Sequence, residues 1–262
     1  MTIRVGVNGA GGRMGRTICE AVAAQEDMRL VAAVDPHHVG EPAVPGLPEA
    51  EYPRIRGEPS AFVESGAEVV VDFTVADVAR EVVPWLVAQG IHAVVGTSGL
   101  GEEDRARIGR SLAGANCIIA PNFATGAVLM MRFAELAAPY FDSVEIVEIH
   151  HDAKIDAPSG TAVSTAERVA AASGGLLPDR TEKFTVPESR GGTVGSGVRV
   201  HAVRLRGALA HQEVLMGTTG QILTIRHDTT DRSAFVPGVL LAIRCVRETP
   251  GLTVGLETLM GI

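Results

Sequence analysis

The chain has 262 residues and a formal net charge of −8, with 31 Asp and Glu against 23 Lys and Arg. Phosphate binding along a nucleic acid needs clustered basic side chains, so a nucleic-acid partner is not expected. Hydrophobic residues at 46% and charged residues at 21% describe a globular chain with a sizeable core, long enough for two domains.

No apolar run reaches membrane length and no basic leader followed by an apolar segment opens the chain, so no membrane partner and a cytoplasmic location are expected. Cys19, Cys117 and Cys245 are widely spaced among apolar neighbours, which suits reduced, buried thiols.

Ile3 to Asn8 is a short apolar run of the buried-strand kind. Gly9-Ala10-Gly11-Gly12-Arg13-Met14-Gly15 follows it, and Met14, Ile18, Ala21 and Val22 then recur at helical spacing. A strand, a glycine turn and a helix are predicted, with the glycines letting the backbone approach a pyrophosphate. The glycine pattern alone is a weak signal. Its context strengthens it: a second apolar run, Leu30 to Val34, ends in Asp35, about twenty residues beyond the last glycine, where a carboxylate can hold ribose hydroxyls. A carboxylate bonded to both hydroxyls repels a 2′-phosphate, so NADH is expected to serve at least as well as NADPH. Arg13, His37 and His38 lie near enough in sequence to soften that preference.

Glu68 to Phe73, Ala93 to Val95 and Cys117 to Ala120 read as further strands, with helices over Ala76 to Gln89 and Glu102 to Ala113. Strands alternating with helices imply an α/β fold, a Rossmann-like doubly wound parallel sheet. Ligands on such sheets bind beyond the C-terminal strand ends. Asp35, Phe73-Thr74, Gly96-Thr97-Ser98 and Ala120-Pro121-Asn122-Phe123 are therefore expected to line one crevice. Phe73 reads equally well as core packing and as a cofactor-ring contact. Gly96-Thr97-Ser98-Gly99 does not fit a G-x-S-x-G nucleophile turn, which leaves a serine hydrolase poorly supported.

The texture changes after Asn122. A helix over Thr125 to Ala138 leads to a strand from Val144 to Ile149, and a helix begins near Thr161. Strands follow over Gly197 to Leu205, Glu213 to Met216 and Gln221 to His227, the last two joined by a turn at Gly217-Thr218-Thr219-Gly220. Gly174 to Gly195 reads as a long surface loop. A final helix runs from about Ser233 to Arg247. Residues 1–121 and 231–262 are expected to form a dinucleotide-binding domain. Residues 122–230 are expected to form a second, α+β domain with a mainly antiparallel or mixed open sheet, used for substrate binding and oligomerisation, with hinges near Asn122 and Asp231.

The most informative stretch is His150-His151-Asp152-Ala153-Lys154-Ile155-Asp156-Ala157-Pro158-Ser159-Gly160-Thr161-Ala162. A strand delivers two imidazoles, a loop carries an ammonium, and a helix start presents N–H groups and the positive end of its dipole, which together make a site for a small anion. Adjacent strand residues face opposite ways and no carboxylate or thiol stands at ligand spacing, so no metal is expected. His92, His201 and His211 read as structural histidines with satisfied hydrogen bonds.

These motifs, with Asp72-Phe73-Thr74, His201-Ala202-Val203-Arg204 and His211-Gln212-Glu213-Val214, resemble the dihydrodipicolinate reductase family over essentially the whole chain. The resemblance implies NADH- or NADPH-dependent reduction of a small dicarboxylate imine, 4-hydroxy-tetrahydrodipicolinate, in lysine and diaminopimelate biosynthesis. It implies His150 as the acid/base, Lys154 as proton donor, and His151, Gly160 and Thr161 as substrate contacts. It implies cofactor contacts from Gly9, Ala10, Gly11, Gly12, Arg13, Met14, Asp35, Phe73, Thr74, Gly96, Thr97, Ser98, Ala120, Pro121, Asn122 and Phe123. A homotetramer built by the β-rich domains is implied too. Ala153 stands where some members have a further His.

The implied chemistry suits the residues. An imidazole titrates near neutral pH and can cycle a proton, and Lys154, four residues on, is expected to fold back beside the His150 ring and lower its pKa, while substrate carboxylates raise it. Two other readings compete: another two-domain nicotinamide oxidoreductase of a small amino or keto acid, and a non-catalytic nucleotide sensor, which would have no use for a proton carrier.

Overall fold

The computed structural model describes residues 2–48, 51–187 and 189–262. The chain forms two compact units, Met1–Phe123 with Phe235–Ile262, and Ala124–Ala234. In chain order the first unit contributes β1 (Ile3–Asn8), α1 (Arg13–Ala23), β2 (Met28–Val34), α2 (Ser60–Glu64), β3 (Val69–Asp72), α3 (Ala76–Ala88), β4 (His92–Val95), α4 (Glu102–Ser111) and β5 (Cys117–Ile119). The second contributes α5 (Thr125–Ala137), β6 (Ser143–His150), α6 (Gly160–Ala172), β7 (Gly192–Val194), β8 (Val198–Arg204), β9 (Ala210–Thr218) and β10 (Gln221–Thr229). The chain returns to the first unit with α7 (Val236–Cys245), β11 (Leu252–Val254) and α8 (Glu257–Met260).

The first unit holds the Rossmann-like sheet that the alternation predicted, six strands in the order β11-β5-β4-β3-β1-β2, all parallel. Its strands are apolar along their length because both faces are covered: all four residues of β3 are buried. Beside one another lie Ala79, Val83 and Val87 of α3, Ile108 of α4, and inward residues of β4 and β5. A second cluster joins Phe62 of α2 and Leu86 of α3 to Ala32, Val34 and Val70. On α1 the buried residues are Gly15, Ile18, Cys19 and Val22; of the four positions read at helical spacing, Ile18 and Val22 are buried and Met14 and Ala21 are half-buried.

From β1 the chain turns to β2 on one side and then crosses to β3 on the other, so β1 is the switch point. The strand ends there are in register, Asn8 opposite both Val34 and Asp72, and Asp72 opposite Val95.

The second unit is built on an open mixed sheet in the order β10-β9-β6-β8-β7. Only β6 and β8 run parallel; the other pairs are antiparallel. Helices α5 and α6 pack on each other, and on β10 and β8 respectively. Burial alternates along β6, with Val144, Ile146 and Glu148 inward.

Three local expectations are corrected. The loop over Gly174 to Gly195 contains β7, which pairs antiparallel with β8. The turn between β9 and β10 is Thr219-Gly220 alone, with Gly220 at φ 81°, because β9 extends through Thr218. The final helix is shorter than expected: 3₁₀ turns over Arg232–Phe235 and Val246–Glu248 flank α7, which has a proline in its first turn.

Candidate active site

At the amino-terminal turn the backbone is packed too closely for side chains. A Cβ on Gly15 would lie 2.0 Å from the Gly9 carbonyl oxygen, so α1 starts directly against the turn. Gly9 has φ 79°, and its N–H and that of Ala10 donate to the Val34 carbonyl at 2.8 and 3.1 Å. Gly12 N–H donates to Gly9 O at 3.1 Å, and the first in-helix bond runs from Arg16 N–H to Gly12 O. The amides of Arg13, Met14 and Gly15 therefore precede the helical ladder, and no side chain caps α1. This glycine cradle, with the helix dipole behind it, fits a dinucleotide pyrophosphate. Arg13 is exposed and Met14 half-buried, whereas Ala10 and Gly11 are buried.

Asp35 follows β2 and is buried. Its Oδ2 accepts from Gly11 N–H at 3.1 Å and its Oδ1 from His37 N–H at 3.0 Å. Oδ1 also lies 3.2 Å from His38 Nδ1. Burial works to raise the carboxyl's pKa, but these hydrogen bonds and the neighbouring imidazole outweigh it and hold Asp35 below the usual range. The His38 ring lies over Gly11, where a Cβ would come within 2.1 Å of it.

The strand ends β1, β3 and β4 are tied by a network centred on Asp72, which the sequence reading did not place in the site. Asp72 is fully buried. Its Oδ1 accepts from the hydroxyls of Thr97 (2.5 Å) and Thr74 (2.9 Å), and its Oδ2 from the Asn8 amide (2.6 Å). Thr74 N–H donates to Thr97 Oγ1 at 2.9 Å. The Phe73 ring covers Gly96, where a Cβ would stand 2.3 Å from it. It also meets Phe123 at 5.7 Å between ring centroids. Ala120 and Phe123 are core residues, Asn122 is half-buried, and Ser98 and Pro121 are exposed.

In the second unit β6 delivers His150 at its last residue, half-buried. Its Nδ1 lies 2.5 Å from Glu148 Oε2, and Glu148 is completely buried. Burial pushes the Glu148 pKa up, but the Arg204 guanidinium and the imidazole hold it below the usual range, so it is a carboxylate and an acceptor only. His150 Nδ1 is therefore the donor, and Nε2 is the nitrogen free to exchange a proton. Arg204, paired with His150 across β6 and β8, grips the same carboxylate with both Nη atoms at 3.0 and 2.9 Å. It also donates to the Asp156 carbonyl at 2.7 Å.

Ser159 N–H donates to Glu148 Oε1 at 3.1 Å, and the Ser159 hydroxyl caps α6 by accepting from Ala162 N–H at 3.2 Å. Gly160 and Thr161 open that helix. His151 is half-buried just beyond the strand and its carbonyl accepts from Lys154 N–H. Glu148 and Arg204 were both missed. Glu148 had a signal: it shares the two-residue period of Val144, Ile146 and His150. Arg204 stood in the His201-Ala202-Val203-Arg204 motif, but its pairing with Glu148 depends on the strand register.

Lys154 acts on the His150 ring as a nearby charge, as expected. Its ammonium also binds both oxygens of Asp156, at 2.7 and 2.8 Å, a partner that was not anticipated. The His150 pKa is lowered first by burial; the charges of Lys154 and Arg204 add to this, while Glu148 opposes it.

The three histidines read as structural have side-chain or backbone partners. His92 Nδ1 accepts from Asn116 N–H, His201 pairs with Glu145 at 2.7 Å, and His211 with Asp228 at 2.7 Å. Cys19 and Cys117 are buried thiols pushed up to about 12 by burial, and Cys245 is a half-buried free thiol. Among the described residues no group of three or more His, Cys, Asp or Glu is placed to hold a metal ion, and no helix is long and apolar enough to cross a membrane.

Comparison with known proteins covers both units. A family model described as dihydrodipicolinate reductase, N-terminus, matches residues 3–123, and one described as its C-terminus matches residues 126–260. The chain is 50% identical over 270 residues to 4-hydroxy-tetrahydrodipicolinate reductase of Nocardia farcinica, covering all of both chains. It is 48% identical over 264 residues to the enzyme of the same name from Mycobacterium ulcerans, covering 99% of this chain and 100% of that one. Among solved structures, a dipicolinate-bound dihydrodipicolinate reductase from Paenisporosarcina sp. TG-14 superposes with a TM-score of 0.83 at 37% identity, over 98% of this chain and 99% of that one. The chain belongs to the dihydrodipicolinate reductase family of nicotinamide-dependent oxidoreductases.

Proposed function

We propose that the chain reduces 4-hydroxy-tetrahydrodipicolinate to tetrahydrodipicolinate, in the lysine and diaminopimelate pathway, with His150 and Lys154 managing the proton. The hydroxyl and a hydrogen from the adjacent ring carbon leave together as water; a bound nicotinamide would supply the hydride, and one proton is taken up by the reduced ring. The Gly9 to Met14 turn holds the pyrophosphate, Asp35 the ribose, and Phe73, Thr74, Gly96, Thr97, Ser98 and the 120–123 segment the remaining cofactor surface. The first unit is then the dinucleotide-binding domain and the second the substrate domain.

The observation that carries this reading is the end of β6: an imidazole fixed through Nδ1 by a buried carboxylate, four residues before a lysine and nine before the Ser159 cap of a helix. His150 Nε2 gives its proton to the reduced ring. Lys154, released from exposed Asp156, meets a substrate carboxylate and donates beside it. The first amides of α6 at Gly160 and Thr161, with the Thr161 hydroxyl, bind the second carboxylate, and His151 flanks it. Dipicolinate in the Paenisporosarcina structure is a ring with two carboxylates, the shape this arrangement suits. Two anionic groups arriving beside His150 raise its pKa from the lowered resting value, so it takes up its proton as substrate binds.

NADH serves at least as well as NADPH, because Asp35 is held ionised beside the ribose position. The assembly is a homotetramer formed through the second unit's sheet, and the location is cytoplasmic. The test is a coupled assay with freshly generated substrate and each cofactor in turn. Turnover with NADH at a kcat/KM no lower than with NADPH is expected. Tight cofactor binding with no turnover would instead favour a nucleotide sensor, and a large NADPH preference would remove the role given to Asp35.

A further inference from the structure

We infer that buried Glu148 and half-buried Arg204 form a positioning pair that sets both the tautomer and the proton affinity of His150, and that locks the substrate-binding turn to the same point. This rests on the proposed reductase reading and adds the residues through which His150 acts. Glu148 has no exposed surface and accepts four hydrogen bonds from three different segments: His150 on β6, both Nη atoms of Arg204 on β8, and Ser159 N–H at the start of α6. A carboxylate buried so completely persists because these donors replace its water. Arg204 extends the link to the Asp156 carbonyl, which lies in the loop that carries Lys154. One carboxylate thereby ties together the proton carrier, the loop of its neighbouring ammonium and the cap of the anion-binding helix.

The charged groups facing His150 are Glu148 from its own strand, Arg204 from β8 and Lys154 from the following loop. Its partner on β9 is uncharged Ala210, and Asp156 is engaged by Lys154. Glu148 favours the imidazolium and the two cations oppose it. Two substitutions in one cluster should therefore shift His150 in opposite directions. Glu148→Gln removes the stabilising anion and leaves Arg204 beside the ring, lowering the proton affinity of His150. Arg204→Gln removes a cation and leaves the His150 ring as the one charged partner of Glu148, so the pair holds its proton on His150 more tightly and the proton affinity rises.

The experiment is a pair of measurements on full-length enzyme. The first is ¹⁵N NMR of the His150 ring through a pH titration without substrate, resolved by comparison with His150→Gln. The Nδ1–H tautomer is expected in the wild type, with the titration midpoint moved down in E148Q and up in R204Q. The second is the pH dependence of kcat. A required acid loses activity as pH rises through its pKa, so the alkaline limb should move to lower pH in E148Q and to higher pH in R204Q. At neutral pH kcat of E148Q should fall by about tenfold or more, while NADH affinity by calorimetry stays at the wild-type value.

A merely structural pair would give losses with no opposed displacement, and that result overturns the inference. An Nε2–H tautomer in the wild type overturns it as well. If E148Q does not fold, the sign of the R204Q shift decides alone. The NMR arm needs no turnover, so a chain that failed to reduce the substrate would sink the functional reading while leaving this assignment separately testable.

Discussion

At the scale of single residues, His150 and Lys154 differ in what binds them at rest, and their substitutions should differ accordingly. His150 is held through Nδ1 by a group that does not touch solvent, so His150→Gln keeps a side chain of similar reach in the same slot and loses only the exchangeable proton. Its kcat should fall by about 10² to 10⁴-fold, with KM little changed. In the proposed mechanism Lys154 exchanges its ion pair with Asp156, which is itself exposed, for one with a substrate carboxylate. Lys154→Ala should therefore raise KM and lower kcat together, because it removes a charge that acts on the bound ring before and during proton delivery. Steady-state kinetics of both variants, with cofactor affinity checked by calorimetry, measures this. Equal and small losses from the two would show that neither carries the proton.

The same residues show what a sequence discloses about a site. The proposed roles of His150, Lys154, Gly160 and Thr161 rest on a pattern visible in the chain itself, a strand end, a loop and a helix start within a dozen residues. Arg204 lies more than fifty positions from Glu148 in the chain and meets it only through the parallel pairing of β6 with β8. Asp72 was visible in a motif, yet its role depends on three strand ends arriving in register. The ion pair of Lys154 with Asp156, two residues away, was not anticipated, because the reading weighed only the neighbouring imidazole.

At the scale of elements, the helices and strands with complete periods were readable and the short ones were not. The five-residue α2 and the three-residue β7 and β11 have too few positions to establish a period. They form because neighbours supply the partners, as when β11 pairs with β5 through Leu252 and Cys117. The β1-turn-α1 unit is the opposite case, fixed by local chemistry. Its tightest point is Gly15, whose missing Cβ lets the first turn of α1 lie against the Gly9 carbonyl.

Backbone atoms cannot rotate aside as a side chain can. Gly15→Ala should therefore force α1 away from the turn, destabilising the chain by about 3 kcal/mol despite alanine's better helix propensity. Urea denaturation gives the stability, and calorimetry should show NADH affinity reduced at least tenfold, since the amides of Arg13 and Met14 move with the helix. A Gly15→Ala enzyme of wild-type stability would mean that the contact is not rigid.

For the whole molecule, burial lowers the pKa of His92, His150 and His227, with charges modifying each. The unfolded chain holds these protons more tightly than the folded one, near the ordinary value of about 6.5. Their contribution to stability is complete above that pH and is lost as pH falls through the depressed folded values. Asp27, Asp35, Glu145 and Asp228 are also held low, and their contribution persists until the pH drops below the ordinary carboxylate range. Urea midpoints should thus decline gradually from pH 7.5 to 5 and more steeply below 4. A midpoint independent of pH over the upper interval would contradict the burial of the histidines.

The second unit's sheet carries the last consequence. Residues alternating with the buried ones of β6, β8, β9 and β10 form its other face, where Val147, Ile149 and Leu215 are half-buried and Val203 and Ile222 are 37% and 77% exposed. Mixed with them are the paired charges Glu145 with His201 and Arg226 with Asp228. The outer strands β10 and β7 each have a partner on one side only.

Apolar residues on a face that also carries satisfied ion pairs are stabilised by a second copy of the same surface, since a symmetric contact buries both patches at once. Light scattering after size exclusion should give about four times the 27.4 kDa chain mass, as the proposed tetramer requires. Ile222→Glu, which places a carboxylate on the most exposed apolar position of that face, should shift the population towards smaller species and lower the urea midpoint at low protein concentration. A wild-type chain that remains monomeric at micromolar concentration would remove the tetramer and leave the sheet face to be explained otherwise.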